Sequence, residues 1–208
     1  MPYYDLFHDE TIGLIKVTLP EVKIWLDTGC GRGQLVNKAA GQFPDTRFLL
    51  ADPSSEMLSL TKKRLCGFPP DRVRFIGAFG SANLSGKVLD KPQVITAIQC
   101  HHYMDAEQRK KATVACFEIL EQGGMYITFE NVRPVTRDGR EIGLDRWGSF
   151  QLSQGLNKEV CRRRRKRFDK AYFPITVTEH LYLLADCGFR SAELFWLSHM
   201  QAGFYAIK

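Results

Sequence analysis

Short apolar runs rich in β-branched and aromatic residues recur along the 208-residue chain, at 24–26, 48–51, 73–76, 94–98, 126–129, 193–197 and 204–207. Helical periodicity fills the gaps between the early runs. Residues 34–43 follow a glycine-rich turn, and 55–65 carry Met57, Leu58, Leu60 and Leu65. Residues 105–120 open on Asp105 and Gln108, spaced as a capping box, and continue with Val114, Phe117 and Leu120 at helical intervals. Strand alternating with helix means βαβ units, and these require a mostly parallel sheet. The chain ends differently. Its last two runs are only a few residues apart, too close for a crossover helix, so they are expected to pair antiparallel.

Two further signals fix the remaining architecture. Thr176 and Glu179 form a second capping-box pair, and Gly188 marks where that helix stops. Residues 133–175 contain no clean strand, yet compact domains seldom carry more than about 15 unstructured residues in one connection. The segment contains Arg146, Trp147, Phe150 and the run RRRRKR at 162–167. It reads as a helical insertion closing over the mouth of the sheet, within one domain spanning 1–208.

Composition narrows the class. Hydrophobic residues make up 44% and charged residues 25%, as in ordinary globular proteins, and no run approaches a membrane span. The opening decapeptide lacks the basic and apolar regions of a signal peptide, so a cytoplasmic location is expected. Six scattered cysteines show no CxxC spacing and read as reduced, with no metal site. The net charge of +6 is matched in size by the basic tract alone. One tract does not make a track along a surface, so nucleic acid stands as the minor alternative to a solvated or lid helix.

Function concentrates at the first strand end. Trp25 to Leu35 reads WLDTGCGRGQL, placing Asp27, Gly29, Gly31 and Gly33 where a strand passes into a helix. Ligands of open α/β sheets bind there, and the helix start favours an anionic group. Twenty-five residues after Asp27, Asp52 ends the second run, placed to accept both hydroxyls of a ribose. The spacing is GxGxG with an acid upstream, unlike the GxGxxG of dinucleotide sites. Asp27 repels a pyrophosphate but accepts from an ammonium group, which points to an adenosine cofactor with an amino-acid end.

LDTGCGRG resembles the first motif of the class I S-adenosylmethionine-dependent methyltransferases. LLADPSSEML is similar to their second motif, VITAIQCHHYM to their fourth-strand motif, and LEQGGMYIT to the turn into their fifth strand. The resemblance implies a Rossmann-like, doubly wound α/β fold, with a seven-stranded sheet ending in an antiparallel hairpin. It implies that Asp27, Gly29 and Gly31 hold the amino-acid end of S-adenosylmethionine, and Asp52 its ribose. Pro53 and Met57 then lie near the adenine, and Gln99 flanks the sulfonium. The family often has an acid after its third strand; Ala78 and Phe79 stand here instead, leaving backbone at Ala78 for the adenine. The link at 81–92 is short for a helix. Residues 3–19 correspond to the family's capping helix, with Tyr3, Tyr4 and Phe7 as pocket candidates.

Methyl transfer is an in-line displacement, and a base is needed only if the nucleophile must lose a proton. His101, His102, Tyr103 and Glu130 cluster at strand ends, with one histidine expected to face the site and its neighbour to be structural. Glu130 either binds substrate or lines a solvated strand end. Farther on stand His180 and Trp196, with His199 and Gln201 assigned to a polar hairpin turn. The acceptor is expected to be a small organic molecule; a tRNA or rRNA acceptor, or a non-catalytic cofactor-binding protein, are the alternatives. The oligomeric state is left open.

Overall fold

A computed structural model describes residues 3–208. The elements are α1 (Tyr4–Thr18), β1 (Ile24–Thr28), α2 (Gln34–Ala39), β2 (Arg47–Ala51), α3 (Ser55–Arg64), β3 (Val73–Gly77), β4 (Val94–Ile98), α4 (Ala106–Ile119) and β5 (Met125–Asn131). After them come α5 (Arg137–Ser153), α6 (Lys158–Arg167), α7 (Val177–Asp186), β6 (Ser191–Ser198) and β7 (Gln201–Ile207). The sheet order is β3-β2-β1-β4-β5-β7-β6. The β1–β5 pairings are parallel, and β7 is antiparallel to both β5 and β6. This is the expected doubly wound sheet with its closing hairpin.

Pleating sends alternate residues to opposite faces. Trp25 of β1 joins Phe7, Val36, Phe48 and Phe129 in the core beneath α1–α3, while Leu26 joins Ile95, Tyr126, Leu184 and Phe204 beneath α4 and α7. Every residue of β4 and β5 is buried, as a central strand covered on both faces requires. Large side chains such as Trp25 and Phe48, with no exposed surface, each contribute about 1.5–3 kcal/mol of burial.

Side-chain caps start most helices. Ser54, Asp105, Thr136 and Asn157 each accept a backbone N–H three residues on, worth about 1 kcal/mol apiece. Thr176 and Glu179 complete a reciprocal box at α7. The pair at α4 is simpler than expected: Asp105 caps the Gln108 N–H, and Gln108 does not return the bond. The short link after β3 holds only a 3-10 turn, Ser81–Asn83.

Between β5 and α7 the chain forms α5 and α6. α5 and α6 pack together, and Leu144, Trp147, Phe168, Tyr172 and Met200 form their own small core. Within the basic run Arg164 donates to Gln151 and Arg165 pairs with Glu141 and Asp145, whereas Arg162, Arg163, Lys166 and Arg167 are exposed. The hairpin departs from expectation at one end. Its turn is His199 and Met200, and Gln201 is the first residue of β7, fully buried.

Candidate functional site

The sheet order reverses between β1 and β4, and the loops leaving the two strands meet at that point. Gly29 (φ +70°) and Cys30 both donate their N–H to Ala51 O, folding the turn back over the end of β2. A Cβ on Gly29 would stand 2.8 Å from that of Cys100, on the β4 loop. Gly31 (φ +54°) has open space on its Cβ side, bounded only by the Tyr4 hydroxyl at 4.0 Å. One glycine thus lets two loops touch, and the other leaves a floor against which a ligand can lie.

Two carboxylates flank that floor. Asp52 accepts from Gly31 N at 2.8 Å and from Ser54 N at 2.9 Å, one on each oxygen. Each oxygen retains acceptor capacity toward a ligand hydroxyl. Asp27 is 2% exposed and accepts from the Thr96 hydroxyl at 2.8 Å, which in turn accepts from Trp25 Nε1 at 3.0 Å. Burial pushes the Asp27 carboxyl up to about 7; the Thr96 bond opposes this and nearby Asp52 adds to it. Tyr4 of α1 lies over both acids, and burial, then Asp27, push its phenol above the ordinary range. A buried acid beside an open glycine floor, with a second acid held by backbone amides, suits a cofactor with an ammonium end and a ribose.

Of the other expected cofactor contacts, Pro53 and Ala78 are exposed and Met57 is half-buried. Gln99 directly follows β4 with φ +57°, a strained geometry for a non-glycine residue that costs about 1–3 kcal/mol. Its N–H bonds Phe129 O at 2.7 Å, and its Oε1 accepts from Gln201 Nε2 at 3.3 Å. Gln201 also reaches Asn131 Oδ1 at 3.3 Å, so it is buried beside Gln99 and Asn131 instead of standing in a solvated turn.

The paired histidines have separate surroundings. Both His101 ring nitrogens are engaged, Nε2 with Ser81 Oγ at 2.8 Å and Nδ1 with Tyr126 OH at 3.1 Å. Burial lowers the His101 imidazole to about 4, against the pull of Glu130. His102 Nδ1 meets Glu130 Oε2 at 2.6 Å, while its buried Nε2 has no hydrogen-bond partner. Tyr103 and, from the insertion, Tyr172 pack their rings on that imidazole, with centroids at 4.4 and 5.9 Å.

Glu130 lines no solvated strand end. It is 0% exposed and also accepts the His101 and His102 N–H groups (3.1 and 2.9 Å) and the Thr128 hydroxyl (2.8 Å). Burial alone would raise its carboxyl, but His102, with His101 and His180 farther off, holds it down at about 2. Arg109 of α4 fixes the same turn, donating to the carbonyls of His101 (3.3 Å), Met104 (3.0 Å) and Phe173. His180 is buried and stacked on Phe204 at 4.7 Å.

Thr96, Thr61 and Arg109 carry much of this geometry and were not marked by the sequence. Thr61 donates to Gly31 O at 2.6 Å. The one available signal for Thr96 was a polar residue inside the apolar run VITAI. At the far side of the site, Phe150 of α5 stacks between Tyr3 (4.5 Å) and His199 (4.4 Å), and Ser198 Oγ donates to Tyr3 OH at 3.0 Å. The insertion, α1 and the hairpin turn therefore meet there. Arg146 is exposed, and Trp147 faces the insertion's own core.

Comparison with known proteins supports the same assignment. Residues 26–126 match the family described as a methyltransferase domain. A carboxy-S-adenosyl-L-methionine synthase of Trichodesmium erythraeum is 23% identical over 91% of this chain and 74% of its own. One from Nautilia profundicola is 21% identical over 100% of this chain and 87% of its own. The fold is shared with the plantazolicin methyltransferase BamL, solved in complex with a triazolic desmethylPZN analog and SAH. That likeness has a TM-score of 0.72 at 15% identity, over 100% of this chain and 86% of that one. Motif order, sheet order, the two acids at the glycine turn and these matches support a class I methyltransferase that uses S-adenosylmethionine, with residues 26–126 matching its methyltransferase domain.

Proposed function

We propose that the enzyme methylates a small organic acceptor at a group that must lose a proton, with His102 as the base. The observation that carries this reading is the His102–Glu130 pair: Nδ1 lies 2.6 Å from a fully buried carboxylate, and Nε2 has no partner. With Glu130 held ionised, the Nδ1 tautomer is favoured and Nε2 keeps its lone pair for the acceptor proton. His101 serves as a positioning residue, since both its nitrogens are committed. Asp27, Gly29 and Gly31 hold the amino-acid end of the cofactor and Asp52 its ribose. Pro53, Met57 and the Ala78 backbone border the adenine, and Gln99 borders the sulfur. When bound, the cofactor supplies an activated methyl group. Tyr172, beyond α6, packs on His102, and the insertion it belongs to excludes water and shapes an acceptor pocket of modest size.

The test is a panel of small phenols, amines and thiols scored by S-adenosylhomocysteine release. His102→Gln is expected to lower turnover by 10²-fold or more, on the order of a lost general base, at unchanged cofactor affinity. Turnover that survives His102→Gln, with a flat pH profile, removes the base assignment.

A second reading rests on the two curated relatives, which align along nearly the whole chain and are named for making carboxy-S-adenosyl-L-methionine. Mass spectrometry of the cofactor pool separates the two. Accumulation of S-adenosylhomocysteine marks methyl transfer, and a carboxylated cofactor marks the second reading.

A further inference from the structure

We propose that the paired helices of the insertion hold a second ligand site, separate from the cofactor turn, which takes a small aromatic carboxylate. A cavity of about 270 Å³ lies between α5 and α6. Its walls are apolar, from Leu144, Trp147 and Leu152 on one side and Cys161 on the other. Gly148 opens it further, since a Cβ added there would meet nothing within 4 Å. None of Asp27, Asp52, Gln99 or His102 lines it.

The polar groups around the cavity are mostly donors. Arg164 and Arg165 are satisfied, by Gln151 at 3.0 Å and by Glu141 and Asp145 at 2.7 and 2.6 Å. Arg162 at the rim is exposed and has no ion pair among the described residues. Trp147 is 4% exposed, and its Nε1–H has no acceptor. Trp147 lines the cavity, so a ligand seated between the helices lies against its indole. The one carboxylate in the lining, Asp145, is already paired with Arg165. An apolar slot with an indole wall, a vacant N–H and a free guanidinium fits a flat ring bearing a carboxylate. The indole stacks on the ring, and the carboxylate takes both donors.

Calorimetry with benzoate and phenylpropionate as probes, and neutral benzamide as the control, tests the site at saturating S-adenosylhomocysteine. The carboxylates are expected to bind, and benzamide to bind at least about tenfold more weakly, the worth of one charge-assisted hydrogen bond. Arg162→Gln is expected to erase that preference. Gly148→Leu is expected to fill the slot and abolish binding, while S-adenosylhomocysteine affinity and the melting temperature hold, since leucine is the better helix former. His102→Ala is expected to leave carboxylate binding unchanged. Failure of both carboxylates to bind overturns the proposal. So does binding that survives Gly148→Leu and is lost in His102→Ala, because that result places the carboxylate at the sheet edge.

Discussion

Replacing Asp27 with asparagine separates the cost of a buried acid from its use. The carboxyl rises from 3.8 to about 7 in the fold, chiefly through burial. Between those two values the folded chain binds a proton that the unfolded chain has released, so stability falls as pH rises from about 4 to about 7, then levels off. At about 1.4 kcal/mol per pKa unit, holding the ionised acid in the fold at pH 8 costs about 4 kcal/mol. Asparagine keeps the acceptor for the Thr96 hydroxyl and removes the charge. Asp27→Asn is therefore expected to stabilise the free protein by up to about 4 kcal/mol at pH 8, by only about 1.5 kcal/mol at pH 5, and to be nearly neutral below about pH 4. On the proposed role, it also weakens S-adenosylhomocysteine binding at pH 8 about ten- to hundredfold, through loss of charge-assisted bonds to the ammonium group. Urea melts at both pH values, with calorimetry of the cofactor product, measure both effects. Equal destabilisation at pH 5 and pH 8 refutes the electrostatic argument. Stabilisation with full cofactor affinity refutes the role of Asp27 in binding.

Other outcomes follow from the same geometry. Gly29→Ala sets a Cβ at 2.8 Å from that of Cys100 at a positive φ, and is expected to cost at least about 2 kcal/mol in urea unfolding; Gly31→Ala, with open space on that side, is expected to cost less stability. Replacing residues 140–170 by a short linker is expected to leave S-adenosylhomocysteine affinity nearly intact while acceptor turnover disappears; loss of cofactor binding in a folded variant shows instead that the insertion builds the cofactor site. Arg163→Glu with Lys166→Glu is expected to leave activity on a small acceptor unchanged, and the parent protein is expected not to retard bulk tRNA at physiological salt. Tight, salt-sensitive tRNA binding lost in that double variant refutes the small-molecule reading.

The fold was readable in the chain because its determinants are local. Hydrophobic period, the Thr176–Glu179 box, the glycine turn and the short gap before β7 each decide structure within a dozen residues. The site was legible where a strand end fixes the residue, as at Asp27 and Asp52, and illegible where partners come from afar. Thr96 matters because it lies beside Asp27 across two parallel strands, 69 residues away. Glu130 reads as a strand-end acid until four donors from two segments are seen around it. Polar character suits Gln201 to a turn, and a two-residue turn instead carries it into the sheet beside Asn131. Separating His101 from His102 requires knowing that Ser81 and Tyr126 reach the ring of one and Glu130 the ring of the other.

The two ends of the insertion touch. Val132 and Ile175 pair as a β-bridge, Arg133 donates its N–H to Ile175 O at 3.1 Å, and Arg109 ties the returning Phe173 to the turn that carries His102. The chain thus leaves the sheet and rejoins it at one point, and the entropy of closing such a loop grows only slowly with its length. The segment between these ends supplies none of the sheet pairings and neither acid of the glycine turn, and it is tied to the rest through Phe150 on Tyr3 and His199 and through Tyr172 on His102. On the proposed role of the insertion, different acceptors are reached by varying this one segment, while the cofactor half of the molecule stays constant.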